Sequence, residues 1–382
     1  MNRLKTLLKQ NRVLYLIYNY FFSFILNFIG LFVKTNNKLI LFNSFGGRKY
    51  DDSPKAIYEY MKNNRKYKDY KMVWALDSYK TVEGLNIDYV KNNSLKFFIT
   101  ALKAKYWITN TSIERGLKFK KRNTIYVNTW HGSVIKKIGN EFSKEKRNFR
   151  VSECDYFFTQ SHIDIDYFSK VGYVKKDKMV LSGYPRNDEL CSVTKKEIEN
   201  IKKKLNIHTN KKIIIYAPTF RDYEYDSNGN YIKPEINIKK WKERLSNEYI
   251  LLIRAHYEIN KFLDIKDDDF IINVTDYPIL NDLLKISDIM ISDYSSIMID
   301  YSILERPIFC FAYDYEKYMK ERGTAYNLNK ELPNGVTYTE DDLIKSIINC
   351  NFDEQKMKTK KFKNKHVEVC GNASTYIDKI IK

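Results

Sequence analysis

The sequence predicts an α/β protein made of two doubly wound parallel domains that face each other across a cleft. Short apolar runs recur along the chain, with amphipathic helical stretches between most of them, the pattern of βαβ units. The runs are continuous rather than alternating, as strands covered on both faces should be. They fall into two sets, separated by a charged stretch at 195–212 that contains no long apolar run. A chain of 382 residues has room for two such domains.

The first element lies before the strands. No charged residue occurs from Val13 to Val33, enough for one helical crossing of a bilayer. Arg3, Lys5, Lys9 and Arg12 precede it and Lys34 and Lys38 follow, so the charges give no orientation. The run is too long for a signal peptide and no small-residue cleavage site follows it. A spanning anchor, an in-plane helix and a buried core helix are the three readings. Asn19 and Asn27 weigh against spanning. An in-plane helix would set Tyr15, Tyr18 and Tyr20 at the headgroups, with basic flanks on anionic lipid. Residues 1–37 are therefore expected to be an apolar membrane-associating segment.

Strands are expected at 39–43, 71–76, 106–109, 124–128, 156–159 and 179–182, forming a first domain over 38–205. A second domain over 206–382 takes strands at 212–217, 249–254, 270–274, 289–292 and 308–312, then a Lys-rich helical tail from 341. Helices are expected at 54–64, 94–103, 194–205 and 297–304.

Composition excludes several classes. Hydrophobic residues make up 43% and aromatics 15%, so the chain can build cores and is not chiefly disordered. Thirteen Gly and seven Pro exclude a collagen-like chain. The five cysteines are scattered without CxxC spacing, which predicts neither a disulfide framework nor a zinc ribbon. The net charge of +19 predicts an anionic partner: nucleic acid, an acidic membrane or phosphate-bearing substrates. Lysines are spread along the chain, with no RRM, KH or helix-turn-helix signature, so nucleic acid is not the expected partner.

Facing doubly wound domains place a ligand between the carboxyl ends of their strands. Chemistry-bearing residues do follow the strands. Trp130-His131-Gly132-Ser133 follows 124–128, and His131 is a candidate base with Lys136 and Lys137 nearby. Gly183-Tyr184-Pro185-Arg186 ends the first domain; Arg186 could complete an anion pocket or tie the domains by a salt bridge. Pro218 ends the strand 212–217, and Thr219 and Arg221 could face a phosphate or nucleotide. Arg254 and His256 share one side of a strand end, a pair suited to a diphosphate. Ser295 or Ser296 would cap the helix from Ile297, whose N-terminus suits phosphate, with Asp300 one turn on. Asp164-Ile165-Asp166 has DxD spacing and reads as helix surface. There is no GxGxxG, no Walker loop and no metal-ligand spacing, so no cofactor or metal is expected.

Taken in order, Trp130-His131-Gly132, Gly183-Tyr184-Pro185-Arg186-Asn187-Asp188, Ala217-Pro218-Thr219-Phe220-Arg221-Asp222, Arg254-Ala255-His256 and Asp293-Tyr294-Ser295-Ser296 with Asp300 resemble the CDP-glycerol glycerophosphotransferase family of teichoic acid synthesis. The resemblance covers roughly 38–370; this chain has Ser133-Val134 where the family commonly has Thr-Pro. It implies a GT-B-like fold of two Rossmann-like domains, the first for the acceptor and the second for the CDP-donor. It implies transfer of a polyol phosphate, chiefly glycerol phosphate, from a CDP-alcohol donor to a hydroxyl of a lipid-linked saccharide acceptor (undecaprenyl-diphosphate-linked) or of a growing chain. CMP is released at the cytoplasmic face of the membrane. His131 and His256 would be catalytic. Trp130, Gly132, Ser133, Arg186, Pro218, Thr219, Arg254, Ser295, Ser296 and Asp300 would bind substrate. The chain length leans towards addition of a single unit. A GT-B glycosyltransferase using a nucleotide sugar, or a ribitol phosphate transferase, is the alternative.

Overall fold

The computed structural model describes residues 11–141, 153–219, 221, 236–255 and 267–382. They form two parallel sheets. The first contains β1 (Asn36–Asn43), β2 (Lys71–Leu76), β3 (Tyr89–Lys91), β4 (Ala104–Thr109), β5 (Ile125–Asn128), β6 (Tyr156–Thr159) and β7 (Met179–Leu181), ordered β3-β2-β1-β4-β5-β6-β7. The second contains β8 (Lys212–Tyr216), β9 (Tyr249–Ile253), β10 (Ile271–Asn273), β11 (Ile289–Ser292), β12 (Ile308–Phe311) and β13 (Val336–Thr337), ordered β10-β9-β8-β11-β12-β13.

Successive side chains of a strand point to opposite faces, and here each face meets its own core. In β1, Ile40 and Phe42 pack with Ile57 and Trp74, while Leu39 and Leu41 pack on the other face with Phe97 and Trp107. In β8, Ile213 and Ile215 enter one layer and Ile214 and Tyr216 the other. That two-sided burial is why the strands read as unbroken apolar runs. β3 and β13, of three and two residues, escaped the sequence reading because they carry no such run.

Local chemistry sets the helix starts. The Ser94 hydroxyl accepts from Phe97 N at 3.1 Å and opens Leu95–Lys103. Thr194 and Glu197 form a reciprocal capping box that opens Lys195–Lys204, within the charged joint.

In both sheets the strand order reverses beside the first strand, between β1 and β4 and between β8 and β11. The loops leaving those strands gather where a ligand would sit.

Two features depart from expectation. The segment 206–382 does not keep its last helix to its own sheet. After Phe352–His366, the chain crosses back, and Ile377, Ile380 and Ile381 enter the first sheet's core beside Tyr67 and Trp74. Asp378 accepts from the hydroxyls of Tyr60, at 2.6 Å, and Tyr67. Burying each isoleucine is worth about 1.5–3 kcal/mol. The same crossing joins Cys191 to Cys370 in a disulfide across 179 residues, a pairing the scattered spacing had argued against.

The N-terminal helix Arg12–Phe32 is not a core helix. Val13–Phe32 is long and apolar enough to cross a membrane, yet Tyr20, Phe24 and Phe32 are 75%, 71% and 77% exposed. One side is docked. Leu26 is buried, Asn27 Nδ2 donates to Lys118 O at 2.6 Å, and Lys118 N donates to Ser23 Oγ at 2.9 Å.

Candidate active site

The loop after β5 is held from below. Asn128 Oδ1 accepts from Trp130 N at 2.9 Å, and Trp130 takes a left-handed φ of +54°. The indole packs among Phe157, Phe168 and Tyr173, with ring centroids 5.1–5.7 Å away. This anchor turns His131 into the cleft, its ring 4.1 Å from that of Trp130 and edge-on to Phe45 at 6.2 Å.

His131 Nδ1 lies 2.9 Å from Asn110 O. A carbonyl oxygen only accepts, so Nδ1 carries the proton and Nε2 of the neutral ring keeps its lone pair. The ring is hemmed in by protein while its outer edge opens to the cleft. That enclosure lowers its pKa below the ordinary imidazole value; the Asn110 carbonyl and Asp52 act upward and Arg186 downward. The neutral, base-competent form therefore prevails at neutral pH.

Gly132 has φ +145°, and a Cβ there would stand 2.5 Å from Ser296 Oγ and 3.3 Å from Arg186 Nη2. Only glycine lets the two sheets' loops approach this closely. A cavity of about 260 Å³ opens at the contact, lined by Trp130, His131, Gly132, Ser295, Ser296 and Arg322 among others. Beyond it, Ala325 N donates to Ile135 O at 2.8 Å and Lys137 N to Gly323 O at 3.2 Å, stitching the halves together.

The second sheet supplies the opposite wall. Thr219 N donates to both Asp293 oxygens, at 2.9 and 3.1 Å, which fixes the turn after Pro218. The Thr219 hydroxyl is buried and has no hydrogen-bond partner among the described residues. Ser295 Oγ accepts from Ile297 N at 3.3 Å, while Ser296, in the N-cap position, makes no side-chain cap. The helix that follows, Ile297–Ser302, has only six residues. Arg254 donates to Tyr277 O at 2.7 Å and pairs with no carboxylate among the described residues. Burial lowers its pKa, and Asp51 acts the other way. His256, Phe220 and Asp222 lie outside the described residues.

Other expected contacts are corrected. Arg221 is buried, bidentate on Asp314 at 2.7 and 2.8 Å and paired with Asp293 at 2.8 Å, so it braces the wall instead of facing a phosphate. Arg186 takes the tie, not the pocket: Nη1 is 3.2 Å from Asp52 and Nη2 is 2.8 Å from Asp300. Asp300 spends its other oxygen on Asn187 Nδ2 at 2.8 Å. Ser133 is buried, donating to Asp164 at 2.7 Å and accepting from Gln160 at 2.8 Å.

Asp164 is likewise not surface. It is 1% exposed and also accepts from Val134 N at 3.2 Å and Tyr184 Oη at 3.3 Å. Burial raises its pKa to about 6 against those hydrogen bonds. Sequence reasoning missed Asp164, Asn110, Asp52 and Arg322. The one signal present was Ser161, whose hydroxyl caps the helix by accepting from Asp164 N at 3.2 Å and so fixes which way that turn faces.

The family model described as CDP-Glycerol:Poly(glycerophosphate) glycerophosphotransferase matches residues 25–382. A teichoic acid poly(glycerol phosphate) polymerase of Staphylococcus epidermidis is 36% identical over 366 residues, 90% of this chain and 50% of that protein. The chain thus spans about half of that relative's length. A polymerase of the same description from Bacillus spizizenii is 34% identical, with 90% of each chain covered. The solved structure of the wall teichoic acid polymerase TagF is 34% identical, with TM-score 0.82, covering 91% of this chain and 88% of that one. A UDP-GlcNAc 2-epimerase from Neisseria meningitidis, 14% identical with TM-score 0.56, shares the fold alone.

Proposed function

This chain belongs to the CDP-glycerol:poly(glycerophosphate) glycerophosphotransferase family, and on that premise we propose that it transfers glycerol phosphate from CDP-glycerol to a hydroxyl of a lipid-linked teichoic acid acceptor. The observation that carries the reading is His131: a neutral imidazole with Nδ1 committed to Asn110 and Nε2 free, opposite Ser295 and Ser296.

The acceptor hydroxyl attacks the β-phosphorus, which bears the glycerol. His131 Nε2 takes the hydroxyl proton, the bond to the bridging oxygen breaks, and CMP leaves with that oxygen. Charge growing on the diphosphate is met by Arg254, whose guanidinium is paired with no carboxylate among the described residues, and by the Ser295 and Ser296 hydroxyls. His256, two residues beyond Arg254 in the sequence, is the second catalytic residue that the family resemblance assigns. Trp130 holds the base in place, Gly132 admits the donor loop, and Thr219 with Pro218 borders the nucleotide.

The two sheets act as a GT-B-like pair, divided near residue 205 into an acceptor side and a donor side. Two poly(glycerol phosphate) polymerases align with 90% of the chain and the glycerol-phosphate primase of Bacillus subtilis with 60%, which favours extension of an existing chain over the single addition that length suggested. The helix Arg12–Phe32 lies in the plane of the cytoplasmic membrane face. Its exposed aromatics and the charge of +19 support this, and docking Ser23 and Asn27 on the protein body leaves a poor spanning helix.

The test is CMP release with CDP-glycerol, CDP-ribitol or a nucleotide sugar as donor and a glycerol phosphate-primed lipid acceptor. Acceptor-dependent CMP from CDP-glycerol alone is the expected result. Release from the nucleotide sugar would transfer the reading to glycosyl transfer.

A further inference from the structure

Asp52 belongs to no motif singled out in the sequence, yet its backbone is unusual. It opens the helix Asp52–Lys62 with a φ of +63°, a left-handed conformation that is uncommon outside glycine, although Asn and Asp adopt it more readily than other residues. Its carboxylate is 9% exposed. Oδ1 accepts from Ser53 N at 2.6 Å, and Oδ2 accepts from Arg186 Nη1 at 3.2 Å. Arg186 N in turn donates to Ser53 Oγ at 3.3 Å, so one turn of helix grips both ends of the arginine.

That arginine touches the reaction loop. Its Nη2 lies 3.3 Å from where a Cβ on Gly132 would stand, one residue from His131. Its other partner, Asp300, comes from the second sheet at 2.8 Å. Arg186 alone would place a buried cation beside a base and disfavour proton uptake there. Asp300 neutralises it from the far side. Asp52 neutralises it from the side of the helix and is itself near enough to act on the imidazole. Among the described residues, Asp52 and Arg186 are the charged groups that act on the ring; Asn110 contributes its carbonyl, and Phe45 and Trp130 contribute apolar faces.

We propose that Asp52 is a positioning residue for the transfer. Its carboxylate holds Arg186 against the Gly132 backbone and offsets the cation beside His131, keeping that ring basic enough to accept the hydroxyl proton. The proposal rests on His131 being the base. The carboxylate reaches Arg186 from this left-handed helix start, with Oδ1 tied to Ser53 N.

The experiment follows the imidazoles of the full chain by NMR and, separately, CMP release against pH. Five histidines give five signals, and His131 is identified by the one lost in His131→Asn. Asp52→Asn suits the left-handed backbone and removes only the charge; Asp52→Gly relaxes the backbone and serves if the amide disturbs Arg186. In either variant the His131 titration moves to lower pH, the acid limb of kcat/KM moves with it, and kcat falls on the order of 10- to 100-fold with little change in KM. A His131 titration unmoved in a folded variant overturns the proposal. If the titration moves while His131→Asn keeps full activity, the Asp52 coupling stands and the base assignment fails, so the two failures read differently.

Discussion

Gly132 lies so near Ser296 that a methyl group on the glycine would come within 2.5 Å of the serine hydroxyl. The two sheets' loops thus meet one residue from the candidate base.

Gly132→Ala should therefore separate the loops. The new Cβ meets both a neighbour and a backbone at φ +145°. Expected is a loss of at least about 100-fold in kcat/KM with a stability cost of about 1–3 kcal/mol, measured by CMP release and thermal unfolding. Normal turnover in the variant would mean that the contact plays no part in the reaction.

His131→Asn should lower kcat by ~10²–10⁴-fold in a folded protein. In the wild type, enclosure lowers the imidazole pKa, and the neutral form is the active one. Activity is therefore retained through neutral pH and lost as pH falls through that lowered value. The acid limb of kcat/KM should lie below about 6.5, the ordinary imidazole value. A limb above it would contradict the assignment.

Arg254→Gln removes a cation that forms an ion pair with no carboxylate among the described residues. Its hydrogen bond to Tyr277 O can be kept by the amide, so the fold should survive. A charged hydrogen bond is worth about 1.5–3 kcal/mol, so the KM for CDP-glycerol should rise by roughly 10- to 100-fold. An unchanged KM would remove Arg254 from the donor site.

Asp164 makes stability fall with pH. Its folded pKa, about 6, lies above the ordinary carboxyl value of 3.8, so between those values the folded state holds the proton more tightly. Stability is fully present below about 4 and declines by about 3 kcal/mol as pH rises through 6. Asp164→Asn abolishes that decline. Urea unfolding at several pH values should show wild type and variant converging, or crossing, between pH 4 and 7; parallel curves would mean an ordinary carboxyl.

Much of this molecule could be read before its structure. Both sheets were legible because β1 and β8 are apolar on both faces, and the turn residues His131, Thr219, Arg254 and Ser296 lie at strand ends, where topology places ligands. What could not be read was partnership. Arg186 and Arg221 carry the same charge as Arg254, yet carboxylates from residues 72–134 positions away claim them. Asp164 looked like surface because helical spacing does not reveal that Ser133 and Tyr184 come to meet it. The disulfide and the returning C-terminal helix are contacts between distant segments, on which local pattern is silent.

That returning helix also orders events during synthesis. Residues 377–381 complete the core that Ile57, Tyr67 and Trp74 begin. At ~5–20 residues per second, more than 300 residues separate the two on a growing chain, so the first sheet waits on the order of 15–60 s with an apolar face uncovered. The half that is translated first is therefore the half that is finished last.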